Sequence, residues 1–399
     1  MSNPYEALLA PYATRPSGTK GRLHDEPPTP TSRNPFQRDN NRIIQSIAFR
    51  RLESKSQVFM AMEGDHFRKR LTHTLEVSFI ARSIARSLQV QDDLAEAVAL
   101  GHDLGHPPFA HCGEDALREC LKAYGMRFNH NDQSMRIVTL LEKRYERHAG
   151  LNLSWEVLEG LAKHNGPVTD GGDLPTVLEV DKKMHLQLHT YASIEAQIGN
   201  LADDIAYNSH DLDDGLRAGM FKTRDLHDLP IVGAIVHDMH EKHPDMDRTR
   251  MGVSLMRALS GHMVEDVLRE TTRRLTALNP HSPDDVRAAG HPVVAFSDET
   301  AAAVQMLRKF LFDNMYRHPQ VVEMRSKLSS IVSDLFHAFM DEPQNLPQDW
   351  QDRLAGGGGS LENHIRIVLD YVSGMTDRYA VREHQKLFGF QATQGLPVA

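Results

Sequence analysis

Apolar residues recur at three- and four-residue steps through most of the chain. Over 41–59 the stripe is Ile43, Ile44, Ile47, Ala48 and Leu52, a spacing that gathers side chains on one face of a helix. Over 65–88 it is Leu71, Leu75, Ile80, Ile84 and Leu88. Asp92 or Asp93 can cap a third helix, which runs through Leu100 and stops at Gly105-His106-Pro107-Pro108. Further helices are expected over 114–124, 132–146 and 154–164, the last ending before Gly166-Pro167. The turn-rich Thr169–Pro175 reads as a loop, and a long helical pattern follows over 194–212. From Leu229 to Phe388 helices continue between Pro and Gly breaks, with Gly356–Gly359 and Ser360 as a flexible link. Ahead of all this, the first 35 residues hold seven of the 20 prolines. They read as an extended arm, mobile or draped over another surface, because proline disfavours helix.

Alternating strand patterns are scarce and no repeat period is visible, so the expected fold class is all-α. The expected organisation is an arm over 1–35, a compact helical domain over 36–235 and a helical C-terminal portion over 236–399. That last portion would complete the pocket or form an oligomer interface.

Composition narrows the function classes. With 399 residues and 40% hydrophobic residues, the chain can bury a core without covalent staples. Two cysteines, Cys112 and Cys120, are too few for a disulfide framework or a cysteine zinc site. No apolar run approaches the roughly 20 residues of a membrane span, and residues 1–10 carry no secretory leader pattern. A cytoplasmic protein with no membrane partner is expected. The formal charge of -9 leaves nucleic-acid binding unsupported, although a local basic pocket is compatible with it. The 23 histidines are many, and histidine is the usual metal ligand and proton shuttle near neutral pH.

Three segments bring such residues together: Arg70-Leu71-Thr72-His73, His102-Asp103-Leu104-Gly105-His106-Pro107-Pro108-Phe109-Ala110-His111, and Leu201-Ala202-Asp203-Asp204-Ile205-Ala206-Tyr207. A His from one helix, an adjacent His-Asp pair from a second and an Asp from a third make a mixed nitrogen–oxygen set suited to a divalent metal. Adjacent helical residues diverge by ~100°, so His102 and Asp103 can share an ion only at a helix end or along its flank. Gly105 and the prolines predict such an end. Asp203, Tyr207 and Asp211 fall at i, i+4 and i+8, on one side of a helix.

These blocks resemble the HD-domain metal phosphohydrolases, and more closely the bacterial deoxyguanosine triphosphate triphosphohydrolases. The resemblance also takes in 33–39, 49–52, 56–59, 70–77, Gly101–His111, 202–207 and Gly374-Met375-Thr376-Asp377-Arg378-Tyr379-Ala380, nearly the whole chain. It implies an HD-type catalytic domain over 36–235 with His73, His102, Asp103 and Asp203 as metal ligands. It implies His111 and Glu114 as a catalytic pair, and His130 as a further active-site histidine. Gln57, Tyr207 and Asp211 would hold the deoxyribose, and Arg70 would face the phosphates. The implied cofactor is Mg²⁺, Mn²⁺ or another transition metal. The implied substrate is a deoxynucleoside triphosphate, dGTP or another, cleaved to deoxynucleoside and inorganic triphosphate. A homo-oligomer is expected on the same ground. The alternative is an HD-class nucleotidase or phosphodiesterase with a different phosphorylated substrate.

Other residues have blander readings beside these. His106 serves loop stability as readily as catalysis. His237-Asp238 and His240 lack the Gly-His-Pro-Pro sequel and read as a solvated helix end. His185 and His189 read as surface or pocket rim. His210 adjoins Asp211 by accident of spacing, Lys163-His164-Asn165 reads as a helix end, and Met60 and Met62 read as gap fillers. Cys112 reads as a small packed residue. Asp204 adjoins Asp203, but helical phase with Tyr207 favours Asp203. Arg378 either reaches the site or pairs with a neighbouring acid, and no role is assigned to it.

Overall fold

The computed structural model describes residues 4–27, 32–57 and 68–389. Among these, every regular element is helical, and pairing of extended backbone is confined to two isolated bridges, Arg22 with Ser154 and Ser56 with Lys69. The fold class is all-α.

The first helices are α1 (Pro35–Ile44), α2 (Ile47–Arg51), α3 (Arg70–Ser87), α4 (Asp92–Gly101), α5 (Ala110–Lys122) and α6 (His130–Arg136). Then come α7 (Trp155–Ala162), α8 (Pro175–Met184), α9 (Ile194–Ala218), α10 (Val232–Lys242), α11 (Arg248–Leu278) and α12 (Pro283–Arg287). The chain closes with α13 (Asp298–Leu311), α14 (Pro319–Asp341), α15 (Gln348–Gly356), α16 (Leu361–Ser373) and α17 (Asp377–Phe388).

Local chemistry explains where several of these begin. Asn34 and Gln37 form a reciprocal capping box around Pro35 at the start of α1. The stripe over 41–59 is not one helix: α1 ends at Ile44, and Ser46 accepts from Phe49 N to start α2 afresh. Its last residues, 58 and 59, lie outside the described residues, as do 65–67 of the next stripe, Met60 and Met62. Gln91, rather than Asp92 or Asp93, caps α4 through its side-chain oxygen. The pattern over 132–146 is shorter in the fold. α6 ends at Arg136, passes into one wide turn over Ile137–Leu141, and is then irregular. The loop before Pro175 leads into α8, which the pattern did not reveal; Pro175 takes the first-turn position where its missing N–H costs nothing.

α3, α4 and α9 pack on one another at the centre. In α4 nearly every side chain is buried, and Leu94, Ala97 and Val98 are wholly so. One apolar cluster joins α3 and α9 to α11 and α13, so it crosses position 235 without a break. A second fills the space between α1, α4, α7 and α8. A third packs α5, through Leu117, Cys120 and Leu121, on Phe336 and Phe339 of α14 and on α16 and α17. Both cysteines are free and buried, and Cys112 lies in this third cluster. Thus α5, which carries His111 and Glu114, rests on the C-terminal helices.

The arm is strapped down over its described length. Thr14 donates N–H and O–H to the Glu195 carboxylate at 2.8 and 2.9 Å, and Lys20 N and Thr19 Oγ1 donate to Glu156. Arg22 reaches the Asp39 carboxylate and the Asn152 carbonyl. No described helix is long and apolar enough to cross a membrane.

Candidate metal centre and catalytic site

The first turn of α3 presents His73, the C-terminal end of α4 presents His102 and Asp103, and the middle of α9 presents Asp203. His102 ends α4 with helical backbone, at φ −61° and ψ −40°, and Asp103 follows in the turn. His73 Nε2 lies 2.8 Å from Asp203 Oδ1. His102 Nε2 lies 3.5 Å from the same oxygen and 3.4 Å from Asp103 Oδ1. Although buried, His102 Nε2 has no hydrogen-bond partner. Its Nδ1 donates to the Ala99 carbonyl at 2.6 Å, which fixes the ring.

Neighbouring ligands of one ion, at bonds of about 2.0–2.2 Å, stand about 3 Å apart. The nitrogens of His73 and His102 and an oxygen of Asp203 form a group that could hold a metal ion. Asp103 borders it but is turned away in part: Oδ2 accepts from Arg70 Nη1 at 2.8 Å and Oδ1 faces His106 Nε2 at 3.2 Å. Burial opposes the charge on His102, yet Asp103 and Asp203 outweigh it and lift its pKa to about 9. Burial likewise resists the ionised Asp203, but His102, His164 and His73 hold it well below the usual carboxylate range.

Behind His73 stands a second layer. His73 Nδ1 lies 3.1 Å from His210 Nδ1, and His210 Nε2 lies 2.5 Å from Glu76 Oε2. Burial lowers the His210 pKa to about 4, so the ring is neutral at pH 7. Donation from its Nε2–H to Glu76 leaves its Nδ1 to accept from His73. His73 thus turns its Nδ1 to His210 and its Nε2 to Asp203, which fixes the direction of the ring. The spacing reading treated His210 as accidental; the fold gives it this orienting contact. His164 is the other histidine that spacing did not assign. Its Nε2 is 3.7 Å from Asp203 Oδ2, and its ring stacks on His102. Asp204, by contrast, pairs with Arg308 at 2.8 Å.

A second cluster adjoins the first. His130 Nδ1 is 3.0 Å from Glu114 Oε1, Arg118 Nη2 donates to Glu114 at 2.8 Å, and His111 Nδ1 lies 3.7 Å from Glu114 Oε2. Burial disfavours the Glu114 carboxylate, but His111 and His130 overcome it and hold the group well below its ordinary range. The His106 and His130 rings stack, with centroids 3.9 Å apart. Imidazole binds an ion in its own ring plane, so two face-to-face rings cannot both ligate one. His106, Glu114 and His130 lie close enough to suggest a metal group, but this stacking argues against a shared ion. Burial, with Arg70 and His130 nearby, keeps His106 neutral. His111 differs from its neighbours in being half exposed, at 52% of its side chain.

Further along α9, Tyr207 Oη is 2.5 Å from Tyr316 Oη, and Tyr316 also donates to Asp211. Tyr316 comes from the turn after α13, over 100 residues away, so no local pattern could link it to α9. Burial raises the Asp211 pKa to about 8, and its Oδ1 is unpartnered. Gln57 is buried, with its Oε1 unpartnered. Arg70 is buried on Asp103 in this state. The other histidines lie apart: His185 and His189 are exposed near the end of α8, and His237 is 69% exposed on α10. Lys163 is fully buried on Glu159 at 2.9 Å.

The HD domain family matches residues 70–208, and a phosphohydrolase-associated domain matches 294–386. A deoxyguanosinetriphosphate triphosphohydrolase-like protein of Parvibaculum lavamentivorans is 50% identical over 393 residues, covering 97% of this chain and 98% of its own. One of the same description from a Caulobacter species is 48% identical, with 97% and 98% covered. Another, from Brucella anthropi, is 49% identical, with 95% of each chain covered.

Proposed function

Since the chain belongs to the deoxyguanosinetriphosphate triphosphohydrolase-like family of HD-domain phosphohydrolases, we propose that it hydrolyses deoxynucleoside triphosphates to deoxynucleoside and inorganic triphosphate. The observation that carries the reading is the convergence of His73 Nε2 and His102 Nε2 on Asp203 Oδ1, at 2.8 and 3.5 Å, with the buried His102 Nε2 unpartnered. These residues, with Asp103, would hold a divalent cation such as Mg²⁺ or Mn²⁺. When bound, the cation would neutralise α-phosphate charge and make water more acidic.

The chain's own groups supply the rest. Asp203, Tyr207 and Asp211 step along α9 by about 6 Å each, from the phosphate end toward the sugar. Tyr207, Asp211 and Gln57 are the hydroxyl-reading groups. Arg70, released from Asp103, would face the phosphates. Water attacks the α-phosphorus, a P–O bond forms, and the bond to the sugar 5′ oxygen breaks. That oxygen is a poor leaving group without a proton. His111, half exposed, donates it, and Glu114 orients the donor. His130 fixes Glu114 from the other side.

The test is to incubate the protein with each deoxynucleoside triphosphate and Mn²⁺ or Mg²⁺ in ¹⁸O-water. Nucleoside plus triphosphate is expected, with the label in triphosphate. His111→Ala should lower turnover about 100-fold or more with metal content unchanged. Diphosphate or monophosphate products, or label in the nucleoside, would overturn the reading.

A further inference from the structure

The two loops that deliver candidate substrate-facing residues, 55–57 and 106–111, make no regular element with each other. Both are tied instead to the junction of α16 and α17. Asp377, the buried first residue of α17, accepts from Phe109 N through Oδ1 and from Ser56 N through Oδ2, each at 2.9 Å. Lys55 Nζ, also buried, donates to the carbonyls of His106 at 2.5 Å and Ser373 at 3.0 Å.

The loop held this way is strained. Phe109 and Ala110 are consecutive non-glycine residues in the left-handed region, at φ 63° and 55°. Such conformations persist only where the surroundings over-determine them. Phe109 caps α5 with no side-chain bond, and His111 follows two residues later. Ser56 likewise precedes Gln57.

We propose that Asp377 is a positioning residue, its two oxygens setting the Gln57 loop and the His111 loop in register with each other. The inference rests on the phosphohydrolase reading above for its meaning, but not for its test. An ionised carboxylate can accept from both amides at once. An asparagine offers one acceptor and turns its amide group on the other donor. Asp377→Asn should therefore free one loop and Asp377→Ala both.

Hydrogen–deuterium exchange on the full chain reads this directly. In Asp377→Ala, peptides covering 55–57 and 106–112 should exchange about tenfold faster or more, while α3, α4 and α9 keep wild-type protection. The release of triphosphate should show kcat reduced about tenfold or more, a smaller change in KM and unchanged metal content. If the alanine variant does not fold, the asparagine variant takes its place, with faster exchange at one loop. Thr376→Ala is the control. It removes the α17 cap on Tyr379 N without touching either loop, and it should keep kcat within about twofold. Wild-type exchange at both loops would overturn the proposal, as would a kcat loss in Thr376→Ala equal to that of Asp377→Ala. A wild-type protein that releases no triphosphate would sink the reading of the reaction, while the exchange result would still judge the clasp.

Discussion

Burial lifts Asp214 on α9 to a pKa of about 7, with Asp213 adding to the rise and Arg68 opposing it. In the unfolded chain the same group releases its proton near 3.9. Below that pH the group is neutral in both states and costs nothing. As pH rises from about 4 through about 7, the unfolded state is ionised while the folded state keeps its proton, so wild-type stability falls across this window. Asp214→Asn removes the loss. Its melting temperature relative to wild type should rise over the window by about 3–6 °C and level off above pH 8. A difference that stays flat between pH 4.5 and 8 would show that Asp214 ionises freely in the fold.

Among the elements, the loop after α4 depends on a close approach. A Cβ on Gly105 would sit 2.2 Å from the His130 carbonyl oxygen and 2.3 Å from Ser134 N, both in the α6 backbone. Ser134 Oγ accepts from Gly105 N and donates to the His102 carbonyl, which locks α6 against the end of α4. Gly105→Ala must push α6 away and carry His130 off Glu114. A loss of about 3 kcal/mol in denaturant unfolding is expected, with turnover reduced in whatever folds. A variant as stable as wild type would mean that α6 can back away freely. The stop at Gly105 was legible in the sequence, as were α3, α4 and α9, because each carries a long apolar stripe. α8 escaped notice because its start looks like turn chemistry, and the break at Gln45-Ser46 because the stripe continues through it. The site divides similarly. Residues on one helix face or in one block, such as Asp203 and Tyr207, could be read from spacing. Tyr316, His164 and Asp377 make their contacts across long sequence separations, so those contacts exist only in three dimensions.

For the molecule as a whole, a charge network with a buried centre ties α7 to α12. Arg287 makes a bidentate pair with Glu159 at 2.8 and 2.9 Å, Lys163 Nζ donates to the same carboxylate, and the Arg287 guanidinium stacks over Trp155. Removing one partner of a buried set strands the others in a medium that solvates them poorly. Glu159→Gln strips Lys163 of its carboxylate and leaves Arg287 only the exposed Asp284, and a destabilisation of about 3–5 kcal/mol is expected in urea unfolding. A loss under about 1 kcal/mol would show that water reaches the cations.

The strap of residues 4–27 has a consequence for the order of events during synthesis. Thr14 is synthesised before its acceptor, Glu195, which lies 181 residues later. At roughly 5–20 residues per second, that separates the two by about 10–40 s. The strap must wait undocked through that interval, during which α3 and α4 are made and still lack the α9 surface that will cover them. Completion of the seam therefore waits for α9, and it joins two segments of the newborn chain of very different age.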